Sequence, residues 1–357
     1  MSTNTRPNIF AICTGAYGNV GDAVIRRLVV SWLRETRCRL HIYVGNAPDE
    51  WIEQLRLQPG DVIYRRRDLG AWMRALVLGR GSRALVFDPG EVPLERSALP
   101  LECLWLAITA LLRVRNIRVV RPPRGIGRPA RLSVLVHRIA CKLSDAAFWR
   151  DLESLKTIRV GYPSPDTAFH ESFDKRQEAG ETRTKLVVSL RGSRPSPTEE
   201  WILGLNDFAT RNGLSIVIAS QVRSDEAACM LLKERTGWDY LPWPSDETSL
   251  SRERRLRCLY SECKVIVSDR LHALILAANS GAIPTELVVN PSGKVQSNFQ
   301  QIGMEHVSMD ATGLTRKQVA TTLERSLELN SQFETYLEAA GRAVDDLRLR
   351  IRNVLTL

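Results

Sequence analysis

The sequence is poor in several features that would decide a function class at once. Its seven cysteines and five histidines form no C-x-x-C pair and no zinc-finger spacing, so neither a disulfide scaffold nor a structural metal site is written into it. The cysteines, at 13, 38, 103, 141, 229, 258 and 263, are odd in number and scattered, which suits reduced thiols in a cytoplasmic protein. No apolar run reaches the roughly 20 residues that span a bilayer. The longest, Leu99 to Leu112, is interrupted by Glu102 and reads as a buried or surface-lying helix. The polar start, Met1 to Pro7, leads into a single strand-length apolar stretch and lacks the pattern of a signal peptide. Internal repeats and low-complexity tracts are missing as well, which excludes solenoids, propellers and disordered arrays.

What is there is ordinary for soluble globular chains. The 357 residues, 44% hydrophobic and 25% charged, suggest two domains. A formal charge of +10 favours anionic partners. Part of that excess is local, because between Glu102 and Asp145 the chain carries nine cations, from Arg113 to Lys142, and no carboxylate. Beside an apolar helix, such a tract suggests a peripheral surface for anionic membrane lipid or a lipid pyrophosphate at the inner membrane face. Nucleic acid is not expected as a partner, since aromatics are not interleaved with the cations and no helix-turn-helix, OB or RRM signature accompanies them.

Short β-branched runs alternate with helix-length amphipathic ones, the pattern of a parallel, doubly wound α/β sheet. The pattern breaks at the polar stretch 171–185 and then resumes. The expected organisation is an N-terminal Rossmann-like domain over 1–170 on the acceptor side, a linker over 171–185, and a C-terminal Rossmann-like domain over 186–312 on the donor side. A C-terminal amphipathic helix over 313–357 completes it. The two domains are expected to face a central cleft. Phe333, Leu337, Ala340, Val344, Leu347, Ile351 and Val354 form a helical seam, which reads as packing on one of the domains or, as the alternative, as a short coiled coil making a homodimer.

Ligands of open parallel sheets bind beyond the carboxyl ends of the strands, so the residues there carry the functional reading. The first strand runs into Gly15-Ala16-Tyr17-Gly18-Asn19-Val20-Gly21-Asp22. This G-x-x-G-x-x-G spacing matches neither the dinucleotide fingerprint nor the P-loop; it serves either a ligand or a tight turn with Asp22 as helix N-cap. A second-domain strand ends in Arg191, whose planar fork suits carboxylate or phosphate. Another ends in Asp269-Arg270-Leu271-His272. If the chain stays extended to the helix start, Arg270 and His272 share a face and Leu271 turns to the core, which sets a cation and a titratable group beside a helix N-terminus. Lys294 follows the next strand, and Pro122 to Pro129, with Gly125 and Gly127, reads as a loop after a first-domain strand.

The order of Gly18-Asn19-x-Gly21-Asp22, Gly125-Ile126-Gly127, Arg150-Asp151-x-x-Ser154, Asp166-x-Ala168-Phe169, Ser189-Leu190-Arg191, Ser268-x-Arg270-Leu271-His272-Ala273, Gly281-x-x-Pro284 and Lys294 resembles the polysaccharide pyruvyl transferase family from about residue 19 to 294. The chain departs from the family pattern where Phe87-Asp88-Pro89-Gly90-Glu91 stands in place of a glycine triplet, and where an arginine interrupts Gly125-Ile126-Gly127-Arg128-Pro129.

The resemblance implies a GT-B-like fold and transfer of the pyruvyl group of phosphoenolpyruvate to a saccharide or lipid-linked saccharide, as a ketal, in polysaccharide or glycolipid biosynthesis of the cell envelope. Arg191 and Arg270, with Leu271 and Lys294, would bind the donor, and His272 would be the general acid, since a bound dianion favours the protonated imidazole. Gly18, Asn19, Gly21, Asp22, Gly125, Gly127, Arg150 and Asp151 would serve acceptor binding or structure. No metal or other cofactor is called for. The competing readings are a GT-B glycosyltransferase with a nucleotide-sugar donor and a non-catalytic member of the fold.

Overall fold

The computed structural model describes residues 6–170 and 183–356. The expected linker falls largely on 171–182, outside the described residues. Two compact units result: one of Met1–Tyr17, Asp22–Thr167 and Ala343–Leu357, the other of Gly18–Gly21 and Ala168–Arg342.

In the first unit, strands β1 (Asn8–Ile12), β2 (Arg39–Gly45), β3 (Val62–Arg65), β4 (Arg83–Val86), β5 (Gly90–Val92), β6 (Arg118–Ile126), β7 (Ala146–Trp149) and β8 (Tyr162–Pro163) alternate with helices α1 (Val20–Arg34), α2 (Asp49–Gln54), α3 (Leu69–Leu78), α4 (Leu99–Val114), α5 (Arg131–Leu143) and α6 (Leu152–Ile158). The sheet order is β3-β2-β1-β4-β6-β7-β8, with β5 on β6. Every pairing is parallel, so both faces need covering by helices, and the strands read as nearly unbroken apolar runs.

β6 is longer than its β-branched core. It was expected to end at Arg121, with Pro122-Pro123 opening a loop; instead it continues to Ile126. Prolines cannot donate to a ladder, and here they fall in a gap: β4 pairs only as far as Val120 and β5 takes over at Arg124.

The second unit holds β9 (Lys185–Ser189), α7 (Glu199–Arg211), β10 (Ser215–Ala219), α8 (Glu226–Thr236), β11 (Asp239–Leu241), α9 (Ser249–Ser261), β12 (Cys263–Ser268), α10 (Leu271–Asn279), β13 (Ile283–Val288), α11 (Lys294–Gln300), β14 (Ser308–Asp310) and α12 (Arg316–Glu328). Its sheet order, β11-β10-β9-β12-β13-β14, is again all parallel and reverses direction between β9 and β12. Leu186, Val188, Val265 and Val267 are buried in its core with Trp201, Leu205 and Phe208 of α7; each such side chain contributes about 1.5–3 kcal/mol on burial. Side-chain caps set several helix starts: Thr198 accepts the Trp201 N–H, and Thr315 and Gln318 form a capping box.

The expected single C-terminal helix is two, α12 and α13 (Asn330–Thr356), and the boundary between the units falls within α13. The seam is covered within the chain: Phe333, Ala340, Val344, Leu347 and Ile351 are buried, and Leu355 rather than Val354 ends the row. Arg348 pairs with Glu35 at 3.2 Å in the first unit. Truncating Ile351 to Ala is expected to cost the first unit about 2–5 kcal/mol, read as a lower urea midpoint, whereas the same change at exposed Leu349 should leave it nearly unaltered.

Candidate functional site

In open parallel sheets ligands bind beyond the carboxyl ends of the strands where the strand order reverses, and here the order reverses between β9 and β12. Ser189 and Ser268 are paired as the last residues of the two strands. The Ser268 hydroxyl donates to the Ser189 carbonyl and accepts the Arg270 N–H at 2.9 Å, so both strand ends are locked together before either loop departs.

Two buried carboxylates organise those loops. Asp269 accepts the Arg191 N–H at 2.9 Å and lies 3.1 Å from Nε of Arg194 and 3.5 Å from Nε of Arg191. Burial pushes its carboxyl above the ordinary range, against the lowering charges of Arg191, Arg194 and Arg270. Asp225, just before α8, takes Nε and Nη2 of Arg270 at 2.8 and 2.6 Å and the Gly192 N–H at 3.0 Å. One edge of the Arg270 fork is therefore occupied, and its orientation is set by a bidentate pair. Arg194 also reaches the Asn290 carbonyl at 2.6 Å, which ties this loop to the one leading into Lys294 at the start of α11.

The structure thus brings Arg191, Arg270, Leu271 and His272 to one strand-end region, with Lys294 one loop away. α10 opens at Leu271, so the chain does not stay extended as far as His272, and helical geometry rather than extended alternation places His272 after Arg270. Leu271 turns into the core, and His272 is itself buried.

The glycine motif of the first strand lands here too. Residues Gly18–Gly21 belong to the second unit: Asn19 bridges Val222, Arg223 donates to the Gly18 carbonyl at 3.1 Å, and Gly18 takes φ of +77°. A Cβ on Gly21 would stand 2.3 Å from Cβ of His272 and 2.5 Å from its Nδ1. This glycine is required by the approach of the histidine. The expected helix cap moves accordingly: α1 starts at Val20, Asn19 accepts the Gly21 N–H at 3.1 Å, and Asp22, inside the first turn, accepts the Ala16 N–H at 3.1 Å.

The first-unit residues have structural partners. A Cβ on Gly125 would meet Oδ2 of Asp151 at 2.9 Å, and one on Gly127 would meet Oε1 of Glu91 at 2.6 Å. Arg150 pairs with Asp166 at 2.6 Å with both side chains buried, and Asp151 caps α6 through the Ser154 N–H at 2.7 Å. Asp88, in the departure from the family pattern, accepts from Arg124 at 3.0 Å and from Arg26 and Thr14 at 3.4 Å.

Sequence reasoning missed Asp225, Asp269, Arg194 and Glu286. Asp269 directly follows a buried strand, and Asp225 directly precedes a helix, so position alone could have flagged them; nothing local pairs Asp225 with Arg270.

A family model described as polysaccharide pyruvyl transferase matches residues 19–282. The chain belongs to this family. No curated protein matches the chain, but solved structures do. A putative UDP-N-acetylglucosamine 2-epimerase from Listeria monocytogenes aligns with TM-score 0.61 and 10% identity over 98% of this chain and 96% of its own. LpCGTa in complex with UDP aligns with TM-score 0.57 and 11% identity over 99% and 100%. UDP-GlcNAc 2-epimerase from Neisseria meningitidis bound to UDP-GlcNAc gives 0.57 and 10% over 95% and 98%. At such identities the likeness concerns fold, and the fold is GT-B-like.

Glu286 of β13 is fully buried near this site, accepts the Ser308 hydroxyl, and has Oε1 without a hydrogen-bond partner. Burial pushes its carboxyl up, opposed by the Ser308 hydrogen bond and reinforced by the Asp269 charge. A carboxyl whose folded value is raised lowers stability once pH exceeds the unfolded value, because the unfolded chain ionises more readily. Glu286→Gln should therefore raise the urea midpoint at pH 8. The gain should shrink as pH falls through the carboxylate range, where the wild-type group is protonated in both states.

Proposed function

We propose that this family member transfers the pyruvyl group of phosphoenolpyruvate to a saccharide acceptor as a ketal. The observation that carries the reading is the pair of oriented arginines beside the amino end of α10: Arg191, whose Nε donates to the Asp269 carbonyl at 3.2 Å, and Arg270, held by the Asp225 carboxylate. Phosphoenolpyruvate carries its carboxylate and its phosphate ester on the same carbon, C2, and planar guanidinium groups at neighbouring strand ends suit both. The N–H groups that open α10 add a field favourable to the same anion.

In this reading His272, held at the second position of α10, protonates the methylene carbon of the enol. Positive charge develops at C2, shared with the ester oxygen, and a sugar hydroxyl attacks C2 as it loses its proton. The C2–O bond to phosphate then breaks, inorganic phosphate leaves, and a neighbouring hydroxyl of the same sugar attacks C2, loses its proton and closes the ketal. Protonation by a positioned acid contributes about 10² to 10⁴ in rate. The reaction consumes no redox equivalent, and phosphoenolpyruvate enters as substrate.

A second reading has a specific observation behind it, since similar structures contain UDP or UDP-GlcNAc. A nucleotide-sugar donor would use the same fold. Thermal stabilisation separates the two: a donor at 100 times its dissociation constant adds about 2.7 kcal/mol. Phosphoenolpyruvate should raise Tm, and stabilisation by UDP with no response to phosphoenolpyruvate would overturn the pyruvyl reading.

In calorimetric titration, Arg270→Ala should abolish phosphoenolpyruvate binding. His272→Ala should retain it while losing about 10²-fold or more in phosphate release with acceptor present. Equal loss of binding in both variants would make His272 an anion ligand rather than the acid.

A further inference from the structure

α4 is inverted relative to an ordinary surface helix. It buries Glu102 and Thr109 and exposes leucines. The buried polar groups are satisfied: Glu102 accepts from Nδ1 of His137 at 2.6 Å, and the Thr109 hydroxyl accepts from Nη2 of Arg121 at 3.3 Å. Burial raises the Glu102 carboxyl, but the His137 hydrogen bond and the charges of His137, Arg124 and Arg121 outweigh it and hold the carboxyl below its ordinary value. Burial holds the His137 imidazole down, against the raising effect of its hydrogen bond with Glu102, and that hydrogen bond ties α5 to α4.

The outer face is apolar. Leu104, Leu111 and Val114, spaced seven and three, share one side of α4 and are 55%, 44% and 83% exposed. On α5, which packs against α4, Leu132, Leu135 and Ile139 repeat the pattern at 63%, 48% and 41%. Against the expectation from its interruption at Glu102, the 19-residue stretch Arg96–Val114 is long and apolar enough to cross a bilayer by length and composition. The Glu102–His137 pair instead holds α4 against α5.

The rim is cationic. Arg131 and Lys142 flank Leu135 on its own side of α5, with Arg128 just before that helix and Arg115 just after α4, all exposed. Asp145 is the nearest following carboxylate, and Arg113 and Arg118 neutralise it at 3.3 and 2.8 Å. Exposed apolar faces of this kind mark interaction surfaces. Glu91 and Glu95 are exposed near the amino end of α5, but Arg115, Arg128, Arg131 and Lys142 leave the border with a net positive charge, which selects an anionic lipid surface over an ordinary protein partner.

We propose that the α4–α5 face docks the first unit onto an anionic membrane, with its leucines entering the headgroup boundary and its arginines and Lys142 on the lipid phosphates. The inference does not rest on the donor assigned above, because docking is read without phosphoenolpyruvate.

The test is flotation of the full chain with phosphatidylcholine vesicles containing about one-third phosphatidylglycerol, compared with pure phosphatidylcholine. Binding should require the anionic lipid and fall steeply with salt. Leu104→Ser combined with Leu111→Ser and Leu135→Ser should reduce it at least about tenfold with Tm unchanged, and Arg131→Glu with Lys142→Glu should do the same by the electrostatic route. Failure of the wild type to float at low salt, or wild-type flotation by the leucine variant, would overturn the proposal. A solution dimer dissolved by the leucine substitutions, without lipid binding, would make the face a contact between copies of this chain and also overturn it.

Discussion

The candidate site depends on two carboxylates placed where water does not reach them. An arginine on a loop ordinarily wanders over many rotamers; opposite a buried aspartate it has one favourable arrangement, because leaving the carboxylate unpaired would cost several kcal/mol. Asp225 and Asp269 convert Arg270 and the Arg191–Arg194 loop from flexible cations into oriented ones. In the proposed reading, an anion arriving there would meet charges whose ordering is already complete. Glu286, buried beneath the same region with an unpartnered oxygen, has the character of a group whose local cost is tolerated at a functional site.

The glycines of the first-strand motif serve this arrangement in an unexpected way. A glycine-rich turn after a first strand suggests a phosphate cradle, yet Gly21 is required because the ring of His272 occupies the space of its missing side chain. The glycines at 125 and 127 are pressed likewise against Asp151, Arg150 and Glu91. These motifs record close packing around charged side chains. Asp88, just after β4, supplies a carboxylate that gathers Arg26 of α1 and Arg124 of β6. That junction gives the first unit a polar feature of its own.

The same logic of buried polar pairs shapes the α4–α5 layer. Arg121 stacks its guanidinium 3.9 Å from the Phe87 ring and donates to Ser144 and Thr109, while Glu102 and His137 close the gap between the helices. With polar residues committed inward, the leucines are left outward. The nine-cation tract is accordingly divided: Arg121 and Arg124 are buried structural groups, whereas Arg115, Arg128, Arg131 and Lys142 stay at the surface.

The α/β class, the two-unit plan and the strand ends bearing Arg191, Arg270 and His272 were legible in the residues alone. Parallel strands covered on both faces must be short β-branched runs, and their ligand residues follow them directly in sequence. The C-terminal seam was legible for the same reason of periodicity, though not its split into α12 and α13. Partners distant in the chain were not legible: Asp225 lies 45 residues from Arg270, and Gly21 far from His272. Nor was the extension of β6 through two prolines, which β5 makes possible by pairing only beyond them. Local sequence determines which elements form and what chemistry stands at their ends; tertiary packing decides which charges are buried together, and burial is what turns an arginine or a histidine into a positioned one.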